Sequence, residues 1–343
     1  MGRRRIGRTA GKVRSWQRGR TRLVLAAIIA APITTGCVRS EADGLAQPGD
    51  LVASVASYDL VATQPGRFMV GLYTADQSLT LAYGTVSFTF AYLGDGEDSE
   101  TGDQASVGSV DAIFLPIPGQ DLDPDTANGL PELVAGSVAT GVYAASEVEF
   151  EKSGFWEVTV TAELDDRAET TTGAFEVLED SDVPAVGEPA PRTRQPLAGD
   201  PDVDPKSIDS RAGGDTPIPD PELHDLTVAD AIVAGRPAMI VVSTPTFCVS
   251  RFCGPITDSV HELALLYGDR MEFIHLEVWQ DFAANQLNPA AAEWIAPTPQ
   301  TQGGEPWVFV IDADGTIVER FDNVASEADL LAAVESLLGP ADG

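Results

Sequence analysis

Cysteine is scarce in this chain: three in 343 residues, Cys37, Cys248 and Cys253. That excludes a disulfide-dense secreted scaffold, and it excludes zinc frameworks built on repeated Cys-x2-Cys pairs. Histidine is equally rare, with only His224, His261 and His275. No Ser-His-Asp set, phosphate-binding loop or zinc-like spacing can be read from the sequence. Basic residues are few, 21 against 53 acidic ones, for a net charge of −32. Nine of the 21 fall within the first 22 residues, so twelve basic residues face all 53 acidic ones in the remainder. Phosphate binding needs basic patches, so nucleic acid is excluded as an expected partner. The acidity keeps the surface solvated and disfavours adsorption to anionic lipid.

The basic N-terminus leads into an apolar stretch, Leu23 to Ile33, and then Thr34-Thr35-Gly36-Cys37. Basic residues, a short apolar core and small residues at a cleavage point read as a signal peptide over 1–36. Eleven residues are too few for a membrane span, which takes about 20. Gly36-Cys37 resembles a bacterial lipobox, in which the cysteine is lipidated and becomes the new N-terminus. Thr34 departs from it, because that position usually carries Leu, Val or Ile. The resemblance implies lipidation of Cys37 and an anchored position on the extracytoplasmic face of the cell membrane. In that compartment disulfides persist, and a single pair can serve as a brace or as a catalyst.

Composition divides the rest of the chain. Residues 37–50 read as a polar tether. Residues 51–180 show period-two alternation in short runs, clearest in Thr85-Val86-Ser87-Phe88-Thr89-Phe90 and Trp156-Glu157-Val158-Thr159-Val160. About seven such strands with turn signals predict an all-β sandwich. The Gly-x-Tyr, Phe and Gly-x-Trp-x-Val-x-Val pattern resembles exported immunoglobulin-like modules. This segment lacks His and Cys, so it has no soft-metal ligand set. The acidic, Gly-rich stretch from Gly94 to Gly108 reads as an exposed loop. Residues 181–220 hold eight prolines among Asp and Gly, which predicts a semi-rigid linker.

Residues 221–343 alternate strand and helix, as an α/β unit does. A short helix capped by Thr227 precedes a strand over Ala238 to Ser243. A helix from Pro255 to Tyr267 carries Val260, Leu263, Ala264 and Tyr267 on one face. Strands follow at Met271 to Trp279 and Trp307 to Ile311. Then come the turn Asp312-Ala313-Asp314-Gly315, a strand over Thr316 to Phe321 and an amphipathic helix over Ala325 to Leu338.

Between the first strand and its helix lies Cys248-Val249-Ser250-Arg251-Phe252-Cys253-Gly254-Pro255. A strand-to-helix turn suits thiol–disulfide chemistry. The strand fixes the turn, and free N–H groups at the helix N-terminus stabilise a thiolate. Pro255 fits the first helical turn, which places Cys253 beside the helix start and favours it as the more acidic thiol. The order of attack stays open between Cys248 and Cys253.

In order, this motif, a second strand, Glu305-Pro306 before a third strand and Asp-x-Asp-Gly in the next hairpin resemble the thioredoxin superfamily. The resemblance covers about 120 residues. It implies an α/β thioredoxin-like fold, a cis Pro306 facing the cysteines, and Cys248, Cys253 and Pro306 as catalytic residues of a thiol–disulfide oxidoreductase. The implied partners are thiols or disulfides of exported proteins and an electron donor or acceptor. No cofactor and no metal is expected. The spacing departs from the family: Cys-x4-Cys replaces Cys-x-x-Cys.

Three alternatives remain. Cys248–Cys253 can be a structural disulfide in a non-catalytic binding module. Thr244-Pro245 before Cys248 is similar to a peroxiredoxin branch, although the arginine of that branch is missing. Copper delivery needs a histidine near the late turn. None of the three is there, and His275 reads as a core residue.

Overall fold

The computed structural model describes residues 50–95, 106–119, 129–135, 141–248, 250–295 and 304–339. The stretch read as a signal peptide, Cys37 and most of the expected tether lie outside these residues, as does most of the acidic Gly94–Gly108 stretch. No described helix is long and apolar enough to cross a membrane.

The chain is β-rich. Its N-terminal half contains β1 (Leu51–Val55), β2 (Gly66–Thr74), β3 (Leu79–Ala82), β4 (Thr85–Gly94), β5 (Ser106–Pro116), β6 (Glu132–Ala135), β7 (Gly141–Val148), β8 (Gly154–Glu163) and β9 (Ala168–Val177). They form one hydrogen-bonded path, β6-β3-β2-β7-β5-β4-β8-β9, with β1 added to β2. The alternation works as expected on β4: Val86, Phe88 and Phe90 are buried while Thr85 and Thr89 face outward. Phe68 of β2 lies 5.7 Å from Phe88, 4.9 Å from Phe90 and 4.7 Å from Phe175 of β9. Those strands are remote from β2 along the path, so the sheet curls until its two ends share one core. Nine twisted strands cannot stay flat, and closing over Phe68 buries the aromatic face. Strands β3 and β6 have four residues each, too short to show a period in sequence, and β5 mixes Ser, Gly and Asp into its alternation.

The C-terminal half contains α1 (Val228–Ala234), β10 (Ala238–Ser243), α2 (Cys253–Tyr267), β11 (Glu272–Glu277), β12 (Trp279–Asp281), β13 (Gln286–Leu287), β14 (Trp307–Ile311), β15 (Ile317–Asp322) and α3 (Glu327–Leu338). The main sheet runs β11-β10-β14-β15. Strands β10 and β11 are parallel, and β14 is antiparallel to both β10 and β15. Every residue of β10 is buried, because the sheet is covered on both faces. Ile240 and Val242 join Trp307 and Phe309 on one side. Met239 and Val241 join Val260 of α2 and Leu330 of α3 on the other. Local chemistry sets the helix ends. Thr227 accepts the Asp230 N–H at 3.1 Å, and Ser326 with Asp329 closes a reciprocal cap at the start of α3. The strand expected to run through Trp279 instead ends at Glu277. There the chain turns into a separate β12–β13 pair.

Residues 181–220, expected as a linker, are docked on the C-terminal half. Ala190 N–H donates to the Gly315 carbonyl at 2.9 Å, the Trp294 indole N–H donates to Thr193 at 2.8 Å, and Ser210 N–H donates to Glu277 at 2.7 Å. Proline loses little conformational freedom on ordering, so a few such anchors hold a segment with little apolar surface. The two halves also meet. Residues 56–59 bond to the end of β15, with Tyr58 N–H on Asp322 at 2.7 Å, Asn323 on the Ala56 carbonyl at 2.9 Å and Arg320 on Asp59 at 2.7 Å.

Candidate functional site

The β10 strand ends at Ser243, and the chain turns through Thr244, whose carbonyl accepts the N–H groups of Phe247 and Cys248 at 3.2 and 3.1 Å. Ser210 from the docked segment steadies this turn by accepting the Thr246 N–H at 3.1 Å. Arg251 adopts the left-handed conformation at φ 68°, which reverses the chain into α2. Cys248 and Cys253 are joined as a disulfide, with Cα atoms 6.0 Å apart.

The two sulfurs have different surroundings. Cys253 is the first residue of α2 and has no exposed surface, while Cys248 is partly exposed. The Cys253 N–H points at Cys248 Sγ at 3.4 Å, and the Ser250 hydroxyl lies 3.2 Å from the same sulfur. The sequence reading leans to Cys253 as the more acidic thiol, whereas the donors found here face Cys248. A residue at the helix start sends its own N–H backward, to the sulfur that precedes it in the chain. Beside Cys248 lies an aromatic shelf: Phe247 stacks on the partly exposed Phe282 at 4.1 Å, and Trp279 meets Phe282 edge-on at 5.4 Å.

The Glu305–Pro306 bond is cis. Glu305, which sequence reasoning passed over as the neighbour of Pro306, brings a carboxylate oxygen within 4.8 Å of both sulfurs. Burial, and then the nearby Glu277 carboxylate, pushes its pKa up to about 7. Among the described residues, the group that could hold a metal here is Cys248, Cys253 and Glu305 in the reduced state, and it contains no histidine.

The β-rich half supplies a residue to this site. Tyr58 donates its hydroxyl to the Glu305 carbonyl at 3.0 Å, interacts with the Ser250 side chain and packs against Trp307. Burial, and then the Glu305 and Asp322 carboxylates, holds its hydroxyl far above the ordinary tyrosine range, so it stays a neutral donor. A Cβ at Gly304 would lie 2.8 Å from the Tyr58 ring, so only glycine allows this approach. Phe252, inside the cysteine motif, packs on Met69, Val142 and Ala144 of the β-rich half. No local signal in the sequence marks Tyr58, because its partners lie some 250 residues away.

Glu305 makes one pH prediction. Its pKa is raised from 4.5 to about 7 in the folded chain. The associated stability is therefore complete below pH about 4.5 and is lost as pH rises through about 7, by about 3 kcal/mol at most. Urea unfolding of the wild-type chain and Glu305→Gln at pH 4.5 and pH 8 should show the variant gaining on the wild type at pH 8 only. Equal differences at both values would remove the assignment.

No protein-family model matches this chain, and no curated protein matches it. Among solved structures, a family 123 glycoside hydrolase from Clostridium perfringens is similar over 41% of this chain and 26% of its own length. The identity is 14% and the TM-score 0.20, too low to carry any argument about fold or activity.

Proposed function

We propose that this chain is an exported, lipid-anchored thiol–disulfide oxidoreductase, with a thioredoxin-like C-terminal half behind an immunoglobulin-like β sandwich. The observation that carries the reading is the asymmetry of the pair. Cys248 is partly exposed and its sulfur faces the Cys253 N–H and the Ser250 hydroxyl, Cys253 is buried, and a Glu305 carboxylate oxygen is within 4.8 Å of both sulfurs. In the reducing direction the Cys248 thiolate attacks one sulfur of a client disulfide and the other leaves as a thiolate. Cys253 then attacks the mixed disulfide at Cys248, forming the intramolecular bond and releasing the second client sulfur. Glu305 takes the proton that Cys253 gives up, and the client sulfurs gain two protons overall. The reverse sequence oxidises a client dithiol. The aromatic shelf at Phe247 and Phe282 offers an apolar surface for the client segment.

A second reading has its own support. Tyr58 and Phe252 tie the β-rich half to the cysteine turn, and Cys253 is sealed. A binding module with a structural disulfide would look the same. The reduction potential of the pair separates them: a catalyst is expected above about −300 mV and a brace below it. Dithiothreitol should open the catalytic disulfide while the far-ultraviolet and near-ultraviolet dichroism stay native. Opening only upon unfolding would reject the enzyme.

Anchoring is tested at Cys37. The change Cys37→Ser should abolish incorporation of labelled fatty acid and move the chain from the membrane to the soluble fraction. Unchanged membrane attachment would reject lipidation.

A further inference from the structure

Behind the cysteine site lies a second cluster. Asp209, His224 and His275 are buried, at 0%, 2% and 1% exposure. They come from the docked segment, from the turn before α1 and from the middle of β11. Asp209 Oδ2 lies 3.5 Å from His224 Nε2 and 3.5 Å from His275 Nδ1. Neither nitrogen has a hydrogen-bond partner.

The proton positions follow from the neighbours. His275 Nε2 faces the Ser243 carbonyl oxygen at 3.2 Å and the Ser243 hydroxyl at 3.0 Å. A carbonyl oxygen only accepts, so a hydrogen on Nε2 satisfies it, and in that neutral tautomer Nδ1 presents a lone pair to the Asp209 carboxylate. Two acceptors facing each other in a dry interior repel unless a cation lies between them. A protonated imidazole would close such a gap to about 2.7–2.9 Å. Ligands of a tetrahedral ion bound at 2.0–2.1 Å stand about 3.3 Å apart, close to the spacing found here.

Arg211 also holds Asp209, through Nε on Oδ1 at 3.1 Å and Nη2 on Oδ2 at 2.8 Å. A fork uses one lone pair of each oxygen, which leaves one on Oδ2. The same guanidinium is shared with Asp220 at 2.7 Å and Asp258 at 3.2 Å, so carboxylates outnumber it.

We propose that Asp209 Oδ2, His224 Nε2 and His275 Nδ1 are three ligands of a buried site for a divalent transition-metal ion of the zinc class. Imidazole and carboxylate oxygen suit that class. Ser243 orients His275 from behind, and Ser243 meets Thr257 at 2.7 Å, which donates to the Cys253 carbonyl at 2.8 Å. The ion thus pins residues 181–224 to β11 and backs the helix that carries Cys253. It is a brace, separate from the sulfurs.

The test uses the full chain with Cys248–Cys253 oxidised, so that neither sulfur can ligate. After chelator treatment, Co(II) titration should give one equivalent with the visible ligand-field absorption of a four-coordinate ion and no thiolate charge-transfer band. Zn(II) should displace it. Asp209→Asn and His275→Gln should each weaken binding by about 100-fold or more, and His261→Ala should not. Paramagnetically shifted imidazole N–H signals from two histidines of the wild-type Co(II) form report the ligands even where a variant does not fold. The proposal is overturned by the absence of both the Co(II) spectrum and zinc in the purified chain. It is overturned equally by binding that survives both ligand changes or that depends on His261.

Discussion

In the reduced folded chain, a short pulse of iodoacetamide is expected to label Cys248 about 100-fold faster than Cys253, from a larger thiolate population and freer access combined. Cys248 is partly exposed, and its sulfur faces the Cys253 N–H and the Ser250 hydroxyl, both of which stabilise negative charge there. Cys253 is sealed under the start of α2 and reacts only through local opening. Two variants extend the result to function. Cys248→Ser should abolish exchange with a test disulfide. Cys253→Ser should retain the first attack and accumulate a mixed disulfide at Cys248, visible by intact-mass spectrometry. Faster labelling of Cys253, or equal rates at both positions in native buffer, would contradict the assigned order. Ser250→Ala should reduce the Cys248 rate without altering Cys253, since Ser250 touches only the first sulfur.

The largest stability effect away from the sulfurs is expected at Arg67. This β2 side chain crosses to the C-terminal half, donates to the backbone carbonyls of Asp322 and Val324, and lies 3.7 Å from the Asp322 carboxylate and 3.6 Å from Asp329. It also sits over the Phe321 ring at 5.7 Å. Burial raises the Asp322 carboxyl, and Arg67 opposes that rise as its strongest cationic neighbour. Arg67→Ala takes the nearest cation from the buried Asp322 carboxylate and a guanidinium donor from the Asp322 and Val324 carbonyls, at a cost of about 3 kcal/mol. Arg67→Ala with Asp322→Asn should recover more than about 1 kcal/mol relative to additive losses. Because Tyr58 N–H also bonds Asp322, the single variant should loosen Tyr58 from Glu305 and raise the labelling rate of Cys253. A chemical-denaturation midpoint unchanged from wild type would show that the two halves dock without this ion pair.

Much of the local structure was legible in the sequence. Alternation in Thr85 to Phe90 marked β4, the apolar run of Ala238 to Ser243 marked β10, and Thr227 marked a helix start. Each of these signals resides within a few residues, where side-chain period and backbone hydrogen bonding act directly. The Cys-x4-Cys turn was visible for the same reason.

What failed to show had a common cause. The proline-rich segment 181–220 reads as a linker because its composition is poor in apolar surface, yet it is fastened by single polar contacts such as Ser210 to Glu277. The choice between Cys248 and Cys253 depended on which sulfur the helix N–H groups reach, and that direction is a property of the folded turn. Tyr58 meets Glu305, Arg67 meets Asp322, and Asp209 meets His224 and His275 across gaps of many residues. By itself the sequence determined the longer, strongly patterned strands and helices and the presence of a cysteine pair, since these follow from neighbours along the chain. Only the tertiary structure decided which sulfur is open, which carboxylate accompanies it and which buried groups converge, because burial and electrostatics depend on distance in space.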